Sequence, residues 1–178
     1  GMVVDVQCVM QGLAPITKCF HTKLITTNRR AQIEGAEHIE FHEDKAVHSA
    51  KEILKAACDA FPNRGRVNIP TGEKMDLIAG FSHETINYLL GGRFRASYKP
   101  LNDNIINGKI RGIAGVVGCN NCKHTLDDAH VRMVKHLIKN NVIVLQTGCS
   151  AMATAKAGLL LPEAAKKYAG EGLAEVCE

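Results

Sequence analysis

Tryptophan is absent and aromatic residues make up only 4% of the sequence, so valine, isoleucine, leucine and alanine must fill the core. No apolar run approaches the roughly 20 residues that a membrane helix needs, which argues against a membrane span. No charged leader followed by an apolar segment opens the chain, so no secretory signal is expected. The positive charges are scattered. Arg29-Arg30 and Lys166-Lys167 are the only adjacent pairs, and no basic stripe interleaved with aromatics is present, which argues against nucleic-acid binding. No G-x-G-x-x-G follows any predicted strand, which speaks against a nucleotide-binding domain. The seven cysteines are odd in number and unevenly spaced, unlike a disulfide framework. A reducing, cytoplasmic location is expected, where cysteines serve as packing residues, metal ligands or redox groups.

The 178 residues give room for one sizeable domain or two small ones, and 46% hydrophobic with 22% charged residues is ordinary for a globular chain. Both ends read as cut: Gly1-Met2 resembles a tag remnant, and 172–178 stop inside a helical pattern. Residues 3–10, rich in β-branched side chains, predict a buried strand ending near Cys8. Short strands are expected at 23–25 and 37–41, and 29–35 reads as loop. Helical spacing is clearest over 43–61, with Ala46, Val47, Ala50, Ile53, Leu54, Ala57 and Phe61 on one face. Pro62-Asn63-Arg64-Gly65 then sets a domain boundary between 63 and 64.

Residues 67–70 predict a short strand, and Ser82 a helix cap, with Gly91-Gly92 as the stop. From 110 onward the pattern is regular. A strand over 110–118 leads to Cys119. A helix capped by Thr125 follows, with Leu126, Ala129, Met133, Val134, Leu137 and Ile138 as its apolar face. A strand over 142–147 leads to Cys149, and Ser150 and Pro162 start further helices. Strand, helix and strand within about 40 residues is a βαβ unit. The fold class is therefore α/β, a parallel sheet with helices on both faces.

Cys8, Cys119 and Cys149 each lie at the carboxyl end of a predicted strand, the edge where open α/β sheets bind ligands. Cys149 also starts a helix, whose positive end favours a thiolate, and iron–sulfur clusters require thiolates. The same residues read equally as small buried packing groups, and spacing alone names no metal. Cys119-Asn-Asn-Cys122 is in addition a C-x-x-C pair after a strand and before a helix, suited to a redox dithiol. With no second C-x-x-C, structural zinc gains little support. Cys19, Cys58 and Cys177 are expected to be packing residues. His38, His42 and His48 read as solvated surface. His124, His130 and His136 read as surface too, with His130 and Asp128 also placed to support the cysteine loop or a proton path. Arg93 and Arg95 near Tyr98 are expected to brace a loop.

Several runs resemble the signature segments of nickel–iron–sulfur carbon monoxide dehydrogenases, within the hybrid-cluster protein superfamily. They are Asp5-Val6-Gln7-Cys8-Val9, His21-Thr22-Lys23, Phe94-Arg95-Ala96-Ser97-Tyr98, Pro100-Leu101-Asn102-Asp103-Asn104-Ile105-Ile106, Gly-Val-Val-Gly-Cys-Asn-Asn (115–121) and Val-Leu-Gln-Thr-Gly-Cys-Ser-Ala (144–151). Ala157-Gly158-Leu159-Leu160 and Gly170-Glu171-Gly172-Leu173 extend the match over nearly the whole chain. The resemblance implies parts of two Rossmann-like domains: 1–63 as the C-terminal part of a middle one, and 64–178 as the N-terminal and central part of a second. It implies an oxidoreductase converting CO and water to CO2, two protons and two electrons, with an electron-carrier protein as partner and a homodimeric parent. It implies that Cys8, Cys119 and Cys149 hold irons of a nickel–iron–sulfur cluster. The family's remaining ligands, a histidine and a cysteine for a pendant iron and a cysteine for nickel, would come from outside this span. The chain alone is thus expected to bind no intact cluster and to be inactive. Cys122 stands where the family pattern has proline, which makes a Cys119–Cys122 disulfide available in a cluster-free piece. A thiol redox module using Cys119 and Cys122, and a non-catalytic Rossmann-like interaction domain, are the alternative readings.

Overall fold

Aspartate at position 5 decides how the chain begins. In the computed structural model, which describes residues 1–72, 74 and 76–177, the Asp5 carboxylate accepts a hydrogen bond from the Val6 N–H at 2.8 Å. The Asp5 carbonyl accepts from the Cys8 N–H at 3.0 Å. These bonds close a turn and stop strand β1 at Met2–Val4, so the strand expected over 3–10 is much shorter and Cys8 lies beyond it. Helix α1 (Leu13–Cys19) follows, with Pro15 tolerated in its first turn. Strands β2 (Leu24–Thr26) and β3 (Glu37–His38) complete a parallel sheet of order β1-β2-β3, with Val4 beside Thr26 and Thr26 beside His38. Val4, Ala14, Leu24 and Ile33 form the buried cluster of this part, and Val9, Leu13 and Ala36 pack against it.

Helix α2 (Ala46–Ala60) forms where the sequence predicts it, preceded by a short 3-10 turn at Glu43–Lys45. Its inward stripe keeps Ala46, Ile53 and Ala57 of the expected face but is rotated away from the rest. Ser49 and Ala60 are buried, and Ala46, Ile53, Ala56 and Ala57 are half-buried beside them. Val47, Ala50, Leu54 and Phe61 point outward. The rotation brings the small residues Ser49, Ala56 and Ala60 inward in place of Val47, Ala50 and Leu54. No strand forms at 67–70, where Val67 and Ile69 are exposed. Among the described residues, 64–82 contain neither helix nor strand.

The chain divides into a first unit, Gly1–Glu73, and a second, Lys74–Glu178. The second opens with α3 (His83–Gly91). The Ser82 hydroxyl caps it by accepting from the Thr85 N–H at 3.2 Å, and Gly92 stops it at φ 50°. Tyr98, at φ 49°, donates its hydroxyl to Asn87 and leads into α4 (Lys99–Ile106). Strands β4 (Gly112–Val117) and β5 (Val142–Thr147) run parallel through six consecutive rungs, from Gly112 opposite Val142 to Val117 opposite Thr147. Helix α5 (Asp128–Lys139) connects them, and α6 (Gly148–Lys156) leaves β5 at once. Both helices pack on the sheet and on each other. The fold is α/β, with parallel strands and flanking helices.

Cover on both faces of the β4–β5 sheet, expected from its apolar strands, is not what forms. Along β4 the residues alternate between half-buried and exposed, and Ile113, Gly115 and Val117 lie on the open face with Leu145 and Thr147. The α5 stripe keeps Val134, Leu137 and Ile138 of the expected face and is rotated away from the rest. Val134 is buried at 4% exposure between half-buried Val131, Leu137 and Ile138, whereas Leu126, Ala129 and Met133 face outward. Thr125 makes no cap: Asp127, at φ 68°, precedes the helix.

Helices α7 (Glu163–Tyr168) and α8 (Glu171–Cys177) close the second unit. The Gly170 N–H donates to the Ile138 carbonyl at 2.9 Å, and the Leu173 N–H to the Asn141 side-chain oxygen at 3.0 Å. Leu173 is buried beneath this seam. Glu178, the last residue of the expected helical pattern, lies outside the described residues.

Candidate functional site

Parallel strands in register bring equivalent positions to one rim, and β4 and β5 do this for two thiols. Val117 and Thr147 form the last rung. Cys119 and Cys149 stand two residues past it on either strand. The Ser150 N–H donates to the Gly118 carbonyl at 3.3 Å, which joins the two exits directly. Gly118 (φ 121°) and Gly148 (φ 67°) make the bends that a side-chain-bearing residue would resist. Cys119 is exposed, Cys149 is half-buried in the first turn of α6, and both are free thiols.

Each exit is held from behind. On the Cys149 side, the Gln146 amide donates to the Ser150 hydroxyl at 3.2 Å, and the Thr154 hydroxyl donates to the Gln146 side-chain oxygen. Ser150 and Thr154 are both 0% exposed. A polar brace sealed in this way resists movement, because an unpaired buried group would be costly. On the Cys119 side, Asn120 and Asp127 bond reciprocally, backbone N–H to side chain and side chain to side chain, each at 2.9 Å. Lys156 of α6 pairs with the Asp127 carboxylate, and that bond with the one from Asn120 holds the carboxyl below its usual range. The His130 ring N–H donates to the Cys119 carbonyl at 3.1 Å. His130 thus holds the backbone at Cys119, while Asp128 pairs outward with Arg132 at 2.8 Å.

Cys8, on the first unit, lies past the carboxyl end of β1 in the turn that Asp5 closes, and is exposed and free. Among the described residues no three histidine, cysteine or acidic side chains come together as a metal site. Cys19 and Cys58 are exposed, not packed. Cys58 lies on the outward side of α2 with Val47 and Leu54, and the Cys19 thiol donates to the Pro15 carbonyl at 3.4 Å. Cys177 has an exposed surface as well, although the atoms around its thiol push its pKa up through desolvation. His42 and His48 are solvated beside Glu40 and Glu52. His38 is not: its Nδ1 meets the Thr26 hydroxyl at 2.9 Å, and its Nε2 is buried without a hydrogen-bond partner. The Arg95 guanidinium lies over the Tyr88 ring at 5.4 Å, a bracing contact. Among the described residues no helix is long and apolar enough to cross a membrane.

Sequence reasoning singled out the cysteines but passed over Gln146, Thr154 and the Asn120–Asp127–Lys156 chain. The available signal was Gln146 itself, a lone amide in the apolar strand Val-Ile-Val-Leu-Gln, which calls for a buried partner.

The Prismane/CO dehydrogenase family matches residues 1–177. Carbon monoxide dehydrogenase 1 of Methanosarcina acetivorans is 52% identical over an alignment that covers 100% of this chain and 28% of that protein. The solved structure of carbon monoxide dehydrogenase IV from Carboxydothermus hydrogenoformans is 48% identical, with a TM-score of 0.77 over 98% of this chain and 28% of that one. A structure of acetyl-CoA synthase/carbon monoxide dehydrogenase, described for NiZn[Fe4S4] and NiNi[Fe4S4] clusters in its alpha subunits, matches at 38% identity and a TM-score of 0.77. It covers 98% of this chain and 27% of that one. The chain therefore spans little more than a quarter of the length of the relatives it matches.

Proposed function

Because the chain belongs to the Prismane/CO dehydrogenase family, we propose that it is the segment of a carbon monoxide dehydrogenase that supplies cysteine ligands to a nickel–iron–sulfur cluster. The parent reaction is CO plus water to CO2, two protons and two electrons. The electrons pass to a carrier protein, and the parent works as a cytoplasmic homodimer. The observation that supports this reading is the last rung of the β4–β5 pair, Val117 opposite Thr147, with Cys119 and Cys149 each two residues beyond it at the carboxyl rim. Cys8, past the end of β1, is the third ligand. Soft, free thiols are the donors that iron–sulfur clusters take. The domain assignment belongs to the same reading: 1–63 closes one Rossmann-like domain and 64–178 opens the next.

The cluster supplies a metal centre able to bind CO and to accept electrons. The chain's own residues hold and orient. Thr154 and Gln146 fix the start of α6, and with it the Cys149 position. His130 and the Asn120–Asp127 pair fix the backbone that presents Cys119. A complete ligand set needs more than these three cysteines, so the 178-residue chain alone is inactive.

The test replaces Cys119, Cys149 or Cys8 by alanine in the whole protein and measures iron, sulfide and CO-dependent dye reduction. Each change is expected to bring activity to background and to lower bound iron, while Cys58→Ala leaves both unchanged. Full iron and activity in any of the three variants would remove that residue from the ligand set.

A further inference from the structure

The cluster reading uses one thiol of the C-x-x-C pair and leaves the other without a role. We propose that Cys119 and Cys122 form a reversible dithiol–disulfide couple, oxidised by exchange with a low-molecular-weight disulfide, and that the oxidised form withdraws Cys119 from metal ligation. The second half of this statement rests on the ligand reading above; the first half does not.

Both thiols are free and exposed. They are separated by two asparagines in a stretch with no helix or strand. Cys119 sits on anchored backbone, with its carbonyl bonded by His130 and its neighbour Asn120 locked to Asp127. Cys122 sits on a local turn. The Asn121 side-chain oxygen accepts from the Lys123 N–H at 2.9 Å, and the Asn121 carbonyl accepts from the His124 N–H at 3.1 Å. Among the described residues Cys122 itself makes no hydrogen bond. One thiol is therefore held by bonds to other parts of the unit, and the other sits on a turn whose bonds are local. Three peptide units span at most about 10 Å, and a disulfide needs Cα atoms roughly 4.4–6.8 Å apart. Tightening the 119–122 segment is enough to close the pair. The closed loop is so short that it gains little from chain entropy, which keeps the bond open to reduction.

The exchange balances as follows. The deprotonated Cys122 sulfur attacks one sulfur of the oxidant RS–SR. That S–S bond breaks, RS⁻ leaves, and a Cys122 mixed disulfide remains. Cys119 gives its proton to solvent and attacks the Cys122 sulfur, and the second RS⁻ leaves and is protonated. Two protein thiols lose two electrons and the oxidant becomes two thiols.

The chain itself offers a direct readout. Trypsin cuts after Arg111 and Lys123, and the peptide 112–123 contains Cys119 and Cys122 and no other cysteine. The whole protein, kept free of metal, is equilibrated with glutathione at a series of oxidised-to-reduced ratios, alkylated and digested. In oxidising buffer the peptide is expected two hydrogens lighter and unalkylated, and excess reduced glutathione returns it to the doubly alkylated form. Cys122→Ser abolishes the light species. A peptide that stays doubly alkylated, or carries only single glutathione adducts at every ratio, overturns the couple. A second measurement follows iron and sulfide uptake by the oxidised and re-reduced protein. Uptake is expected to be at least about tenfold lower in the oxidised form. Equal uptake with the disulfide present would overturn the withdrawal and, with it, the ligand role of Cys119, leaving the couple itself standing.

Discussion

Asp127 carries a charge that the fold uses. Lys156 first, and Asn120 second, hold its carboxyl below the usual carboxylate range. A depressed folded pKa contributes stability that is fully present above the unfolded value of about 3.9 and is lost as pH falls through the lower folded value. Urea unfolding is expected to show wild type ahead of Asp127→Asn at neutral pH, with the gap closing below about pH 4. A gap that is independent of pH would show that the Lys156 pairing contributes nothing through charge. Thr154 tests the other exit. Its hydroxyl is fully buried and donates to Gln146. Thr154→Val keeps the shape but leaves the Gln146 oxygen unpaired, and is expected to cost about 1–3 kcal/mol in the unfolding free energy. Neither residue stood out in the sequence. Cysteines announce themselves by type, whereas a threonine in a helix reads as surface until the strand amide it faces is known.

Helix α8 docks through Gly172 and through Gly170 just before it. A Cβ on Gly172 would run into the Lys109 carbonyl, and one on Gly170 into the Lys139 carbonyl and the Asn141 side chain. Gly172→Ala is expected to lower stability by roughly 1–3 kcal/mol, as overpacking does. Gly115→Ala, where a Cβ meets nothing within 4 Å, is expected to be near neutral; thermal melting of the two variants compares them. At this scale the sequence was most readable where the pattern was regular. Strand β5 runs over the residues that its apolar run marks, and Ser82 and Gly92 cap and stop α3 as residue type demands. Strand β1 failed because Asp5 closed a turn inside a β-branched run. The faces of α2 and α5 were read in part: Ala46, Ile53 and Ala57, and Val134, Leu137 and Ile138, do lie inward, but each stripe is rotated, because apolar residues flank it on both sides and spacing cannot fix its exact centre. In α2 the alanine-rich stripe turned inward, and Val47 and Leu54 were left outside.

The whole chain exposes 12953 Å² for a mass of 19.3 kDa. Two separate compact bodies with the lengths of the two units would expose only about 10,200 Å² together. The excess includes apolar side chains such as Phe20, Val47, Leu54, Ile106 and Leu126. Composition gave no warning of this, because 46% hydrophobic residues is normal for a chain that hides them. The fold class was readable from strand and helix order, but which faces find cover depends on contacts that no local pattern encodes.

The bare side of the β4–β5 sheet has a calorimetric consequence. Ile113, Val117 and Leu145 are already 41%, 62% and 38% exposed before unfolding begins, so melting adds less new water around them than around fully buried side chains. A typical chain of this length would unfold with a heat-capacity increment of about 2.1–2.7 kcal/mol/K. Scanning calorimetry of the 178-residue chain is expected to give less, with a broad, low endotherm and a stability curve flattened across temperature. An increment within the typical range would mean that those strands already have their second layer.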